Sequence, residues 1–306
     1  MNISFETYKN CTLCPRECHA DRTVSKGFCG SDASLYVARA ALHMWEEPCI
    51  SGTEGSGAVF FSGCNLHCVY CQNSEISGGL AGKEISVERL SQIFLELQSK
   101  KANNINLVTP SHYIPHIIAA LDLAKEKGLN IPIVYNTSSY EKPSAVEQLK
   151  GYVDVFLPDY KYSDSVLAGL YSKAPDYPII ASKAIEKMLE ITGKPVFDES
   201  TGLIKKGVIV RVLVLPGHTN DAINTIRYLY ETFQNDIYIS IMSQYTPIPG
   251  TLPEGEPFDC LKRPITRREY DKVVNVALDM GLTNAFIQEG KACSESFIPA
   301  FDNEGV

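Results

Sequence analysis

The stretch at residues 60 to 73, FFSGCNLHCVYCQN, sets Cys64, Cys68 and Cys71 at C-x3-C-x2-C spacing. The apolar run leading into it, Ala58 to Phe61, reads as a buried strand, and Gly63 releases the chain into a loop. Such a chain has to carry three thiols at the end of a core strand, where rigid scaffolds hold reactive groups. Thiolates favour soft metals, and the number of ligands decides what they hold. A structural zinc needs four protein ligands, and His67, inside the loop, is a fourth on paper. Three cysteines on a [4Fe–4S] cubane leave one iron open to a small molecule. The residues alone leave both readings standing.

Ten cysteines occur in the 306 residues, eight of them before residue 72. That crowding reads as metal binding rather than as a disulfide framework. The N-terminal MNISFETYKN has neither a basic n-region nor an apolar h-region, and no run of about twenty apolar residues follows, so a cytoplasmic protein without a membrane span is expected. A net charge of −8 argues against nucleic acid and anionic lipid as partners, and the pairs Lys205–Lys206 and Arg267–Arg268 read as solvated surface. With 44% hydrophobic and 21% charged residues, the chain has the composition of an ordinary globular core.

Residues 1 to 50 are expected as a cysteine-rich extension and residues 51 to 306 as the main domain. The extension holds Cys11, Cys14, Cys18 and Cys29, as C-x2-C-P-R-x2-C-x10-C. Four thiols at these spacings suit a structural zinc or a second iron–sulfur cluster. A head with so few apolar residues needs a staple, which leans the reading towards structural metal. Next comes Leu35 to Trp45, strand or mixed structure, and then EEPCISGTEGSG. Cys49 reads equally as buried thiol or functional group. Gly52, Gly55 and Gly57 permit positive φ and a close backbone approach to a ligand or cluster.

From residue 58 apolar runs alternate with amphipathic segments. Strands are expected at 58–62, 104–108, 131–135, 153–157, 208–215, 238–242 and 285–287, and helices at 87–99, 113–127, 144–150, 182–192, 221–233 and 266–280. Ser86 and Thr266 are expected N-caps, Thr266 within a capping box with Glu269, and Gly128 a C′ residue. Residues 195–206 interrupt the pattern as a hairpin or rim loop. The alternation gives an α/β fold with a parallel sheet, closed in part as a barrel. Ligands in such a barrel bind at the C-terminal strand ends. There stand Thr109, Pro110 and His112; Asn136, Thr137 and Ser138, small polar groups suited to a ribose or carboxylate; Asp159 and Lys161; Arg211; and Ser243, Gln244 and Tyr245. Arg211, alone in an apolar strand, must aim at an anion or pair with Asp159 or Asp154. Asn220 is expected to cap the helix after PGHTN, Gln288 and Glu289 to close the barrel, and Cys260 and Cys293 to be ordinary buried thiols.

C-x3-C-x2-C with Tyr70 before the last cysteine resembles the radical S-adenosylmethionine (SAM) superfamily, and GCNLHCVYCQN resembles its pyruvate formate-lyase activating enzyme-like branch. Within that branch the chain is similar to a subgroup of activating-enzyme homologues from CTLCPREC through EEPCISGTEGSG to LVLPGHTND. The resemblance implies a partial (β/α)6 barrel with a small Cys-rich N-terminal extension. It implies a [4Fe–4S] cluster on Cys64, Cys68 and Cys71, with SAM on the open iron and Tyr70 beside it. It also implies an electron donor such as flavodoxin or ferredoxin, and a 5′-deoxyadenosyl radical that takes hydrogen from a substrate, a glycyl radical enzyme among the candidates. For SAM contacts it points to the 109–110 stretch, where LVTPSH replaces the glycines of GGxP. It points as well to Asn136 and Ser138, to Asp159 and Lys161 as a D-x-K motif, to Arg211, to His218 facing the site, and to Gln244 in place of the histidine the family often has. Rival readings are modification of another peptide or small molecule and, outside enzymes, an iron–sulfur electron carrier or a zinc-stapled binding protein.

Overall fold

The computed structural model describes residues 5–79, 81–248, 250–288 and 299–306. Ten strands form one sheet: β1 (Leu35–His43), β2 (Ser56–Phe61), β3 (Lys83–Ile85), β4 (Ile105–Val108), β5 (Ile133–Thr137), β6 (Val155–Pro158), β7 (Val196–Phe197), β8 (Ile204–Leu213), β9 (Tyr238–Met242) and β10 (Ala285–Ile287). Between them lie α1 (Pro48–Ser51), α2 (Ser74–Ser77), α3 (Val87–Ser99), α4 (Ile114–Glu126), α5 (Pro143–Glu147), α6 (Ser165–Ser172), α7 (Tyr177–Thr192), α8 (Thr219–Phe233) and α9 (Arg267–Asp279). The strand order is β10-β9-β8-β6-β5-β4-β2-β1-β3, with β7 hanging on β8. Every pairing from β2 to β10 along this path is parallel. Six βα units followed by β10, in a sheet whose two ends do not meet among the described residues, make a partial barrel.

Each expected strand is present. The parallel strands are buried on both faces, which is why they read as unbroken apolar runs. Ser86 caps α3 by accepting from Arg89 N (3.2 Å), Thr266 and Glu269 close a capping box on α9, and Gly128 follows α4 at φ +98°. The 195–206 interruption is the β7–β8 hairpin.

Four features differ from the sequence reading. β1 joins the sheet antiparallel to β2 and carries β3 on its other edge, so the N-terminal fifty residues contribute a strand to the barrel. The eight-residue α6, with Gly169 inside it, shows no legible period; Asp164 nucleates it by accepting from Val166 N (2.6 Å). α8 starts at Thr219, so Asn220 lies inside the first turn and does not cap it. Gly52, Gly55 and Gly57 sit at the start of β2, away from the strand ends that bind ligands. An added Cβ at Gly57 would stand 2.9 Å from Asn104 O, so the close approach there is between neighbouring strands. Glu289 and Cys293 lie outside the described residues.

Candidate active site

One cavity opens at the C-terminal ends of the parallel strands and receives side chains from all six βα units. Its lining includes Cys64, Cys68, Tyr70 and Cys71 after β2, Thr109 after β4, Asn136 and Ser138 at β5, Asp159 and Lys161 after β6, Arg211 on β8 and Gln244 after β9. Of the candidates, Pro110 does not line it; it leads the 3-10 turn behind Thr109. Tyr70 is buried, edge-on to Tyr162, Tyr171 and Tyr245. Tyr245 lies in the core with its hydroxyl donating to Leu261 O (2.6 Å).

The cysteine loop is held from behind. Gly63 has φ +92°, and a Cβ there would stand 2.3 Å from Ser31 Oγ and 2.8 Å from Cys29 O, so only glycine fits. His112 Nε2 donates to Ser62 O (2.7 Å). Burial and Arg22 push its pKa down to about 3, so the ring is neutral and serves as a bracket for this loop rather than as a cavity contact. His67 turns away: its Nε2 meets Phe28 O (2.9 Å) and its ring packs on Phe28. It is not the fourth ligand of a zinc.

Two of the three sulfurs receive donors. Ser172 Oγ donates to Cys68 Sγ (3.1 Å) and Leu66 N reaches Cys64 Sγ (3.4 Å). Burial raises the free thiols of Cys64 and Cys71, Cys71 to about 12, so these two ionise here only with a compensating cation. Among the described residues, no three His, Cys, Asp or Glu side chains gather closely enough to hold a single metal ion. Thiolates sharing one zinc at about 2.3 Å each would be in mutual contact; those on separate corners of a cubane are not. The donor set and its spread fit a cluster.

Opposite the thiols is a buried charge network. Arg211 Nε donates to Asp159 Oδ1 (2.9 Å), its second nitrogen to Asn136 Oδ1 (2.6 Å), and its third approaches Glu46 Oε2 (3.3 Å). Lys161 Nζ pairs with Asp159 Oδ2 (2.6 Å). Burial pushes the Asp159 carboxyl up, but Arg211 and Lys161 outweigh it and hold Asp159 below the usual carboxylate range. Burial also raises Glu46, with Arg211 opposing. Of the two partners expected for Arg211, Asp159 is the one found; Asp154 accepts from Ile133 N (2.8 Å) instead. Glu46, which closes the cavity floor and accepts from Asn106 Nδ2 (2.9 Å), was missed by sequence reasoning. A glutamate pair between an aromatic and a proline (Trp45, Glu46, Glu47, Pro48) was the available signal.

His218 does not face the cavity. It shares a hydrogen bond with Tyr171 OH (2.8 Å) and lies 3.4 Å from Cys260 Sγ. Gln288 ties the end of β9 together, accepting from Ser243 N (2.8 Å) and donating to Gln244 Oε1 (3.3 Å).

Two site features carry measurable consequences. Thr109, directly before Pro110, has φ +57°, which a β-branched residue adopts only under strain. Thr109→Gly is expected to raise stability by about 1 kcal/mol, relief of strain outweighing the added freedom of the unfolded chain; urea denaturation measures it. Behind Thr137, Glu141 is fully enclosed by Tyr135 and Thr137, and burial raises its pKa to about 7. The folded state then binds more protons than the unfolded state between pH 4.5 and 7. Stability therefore falls across that window as pH rises and levels off above it, by up to about 3 kcal/mol. Glu141→Gln is expected to flatten this slope in denaturation curves taken from pH 4.5 to 8.

The chain matches the Radical SAM superfamily over residues 58–229. It is 27% identical over 285 residues to an uncharacterized protein of Methanocaldococcus jannaschii, covering 90% of this chain and 77% of that one. Over 111 residues it is 32% identical to the pyruvate formate-lyase-activating enzyme of Clostridium pasteurianum, covering 35% of this chain and 45% of that one. A radical SAM methyltransferase from Sphaerobacter thermophilus shares the fold, with TM-score 0.50 and 14% identity, covering 76% of this chain and 66% of that one. The chain spans about half the length, 46 to 48%, of three structures of Streptococcus suis SuiB that it resembles. The superfamily match extends over more than half of the chain and begins in the strand that delivers Cys64, so this protein belongs to the radical SAM superfamily.

Proposed function

We propose that the cavity binds SAM against a [4Fe–4S] cluster held by Cys64, Cys68 and Cys71, and that the catalytic domain expected at residues 51 to 306 also takes in β1 and Glu46 from the first fifty residues. The superfamily implies both cofactors. When bound and reduced, the cluster supplies the electron that splits SAM into methionine and a 5′-deoxyadenosyl radical, which takes hydrogen from a substrate. The observation that carries this reading is the meeting of the three thiols with the Asp159–Lys161–Arg211 network in one cavity. Lys161 and Arg211 offer charge to a carboxylate, Asp159 and Glu46 to an ammonium, and Asn136 and Ser138 offer hydrogen bonds to hydroxyls. The cavity offers charges of both signs, which suits the zwitterionic amino-acid end of SAM. Tyr70 and its aromatic neighbours keep water from the thiol side.

The reaction also needs a one-electron donor, a flavodoxin or ferredoxin in this reading, and a reducing, cytoplasmic setting for its thiols. Among the described residues no helix is long and apolar enough to cross a membrane. For the substrate we propose the glycine loop of a glycyl radical enzyme. The support is the 32% identity to a pyruvate formate-lyase-activating enzyme, which spans 45% of that protein. Anaerobic incubation with SAM and dithionite is expected to release 5′-deoxyadenosine. Asp159→Asn, which leaves Lys161 and Arg211 without their shared anion, is expected to lower that release at least tenfold. A glycyl radical signal in a co-expressed partner tests the substrate; its absence with cleavage intact removes the activase reading alone.

A further inference from the structure

The four cysteines of residues 11 to 29 have no part in the site above. They converge behind it: Cys11 and Cys29 are buried, Cys14 is partly buried and Cys18 exposed. Gly27 lies between two of them. A Cβ added there would stand 3.5 Å from Cys18 Sγ and 3.5 Å from Cys29 Sγ, so the absence of a side chain keeps open the space that separates these sulfurs. Beside them is Arg22, with 0% exposure. Its guanidinium donates to Asp32 O (2.6 Å) and His112 O (2.9 Å), stacks over Tyr8 (4.2 Å) and points one nitrogen at Cys11 Sγ (4.0 Å). No carboxylate pairs with it among the described residues, where ion pairs are otherwise numerous. A buried, always-charged group without an anion is costly. The acidic side-chain group its guanidinium points at is the Cys11 thiol, with Cys29 among the same sulfurs. The anion that answers Arg22 is therefore a thiolate assembly.

We infer that Cys11, Cys14, Cys18 and Cys29 hold a second, fully ligated [4Fe–4S] cluster whose negative charge is compensated by buried Arg22. As in the barrel site, the thiols converge without gathering around a single-ion position, which favours a cubane over zinc. Four cysteines leave no iron open, so this cluster binds no SAM; its role is structural or electron-carrying. It is tied to the catalytic loop: Cys29 O accepts from Cys64 N (3.1 Å), and Arg16 of the same head donates to Asn65 O (2.8 Å) and Ser172 O (2.9 Å).

The test uses the full chain, reconstituted anaerobically with iron and sulfide. The Cys64/Cys68/Cys71→Ala variant is expected to keep about four iron and four sulfide per chain, with a reducible cluster signal in electron paramagnetic resonance that SAM does not perturb. Cys18→Ala, at the exposed ligand, is expected to lose or convert that cluster while the wild-type barrel signal still responds to SAM. Arg22→Gln is expected to move the midpoint potential of the SAM-insensitive cluster to a more negative value. About one zinc per chain and no iron in the triple variant would overturn the inference, as would a metal-free head that folds. Because the readout is iron in a chain lacking the barrel cysteines, it stands or falls apart from the catalytic reading.

Discussion

Replacing Cys64, Cys68 and Cys71 together by alanine is expected to remove about four iron per chain and to lower 5′-deoxyadenosine release below detection, a loss of three orders of magnitude or more. The fold is expected to survive. These thiols line a cavity rather than fill the core, and the loop that bears them is anchored by other groups: the Ser62 carbonyl on His112, Cys64 N on Cys29 O and Val69 N on Tyr171 O. None of these bonds uses a sulfur. Circular dichroism and a cooperative denaturation transition separate loss of cluster from loss of structure. Retention of the full wild-type iron content in a folded triple variant would remove the central claim.

How much of this was legible beforehand differs by level. The parallel strands were plain because a strand buried on both faces, such as Ile105–Val108 or Ile133–Thr137, has no polar alternation to confuse it. The residues after those strands were legible by topology, since a parallel barrel brings all its C-terminal strand ends to one rim. Thr109, Asn136, Asp159, Lys161 and Gln244, far apart in sequence, consequently meet in one cavity. Glu46 was missed because it comes from the loop after antiparallel β1, which no βα pattern announces, so the glutamate pair before Pro48 was the one signal on offer. His112 and His218 were misdirected for a different reason. A loop histidine near a site reads as a ligand contact, while its direction is set by whatever carbonyl or hydroxyl stands behind it, here Ser62 O and Tyr171 OH. Arg22 gave no sequence signal, since its burial depends on the fold of a head with little hydrophobic pattern.

Arg211→Met is expected to destabilise the protein by roughly 3–5 kcal/mol, the cost of stranding buried charge by removing one partner. Among the described residues, the guanidinium alone touches Asp159, Asn136 and Glu46 at once, at 2.9, 2.6 and 3.3 Å. Asp159 keeps Lys161 and stays ionised, so Glu46 bears the loss. Its carboxyl, already raised by burial, rises further without Arg211 and takes up a proton. The sign follows: the folded variant then binds a proton that the unfolded chain has released above the ordinary glutamate pKa. Stability of the variant relative to wild type must therefore fall as pH rises from about 4.5, and the deficit must be smaller near pH 5 than near pH 8. Arg211→Lys keeps a charge but cannot span three acceptors, and is expected to fall between the two. Adding Glu46→Gln to Arg211→Met removes the stranded carboxyl and is expected to restore part of the loss and abolish its pH dependence, the signature of direct coupling in a double-mutant cycle. Urea denaturation of wild type, Arg211→Met, Glu46→Gln and the double variant at pH 5 and 8 decides the matter. A deficit under 1 kcal/mol that is flat in pH would mean that Glu46 and Arg211 are separately solvated. The cavity would then lack the fixed charges that a zwitterionic ligand needs for its orientation.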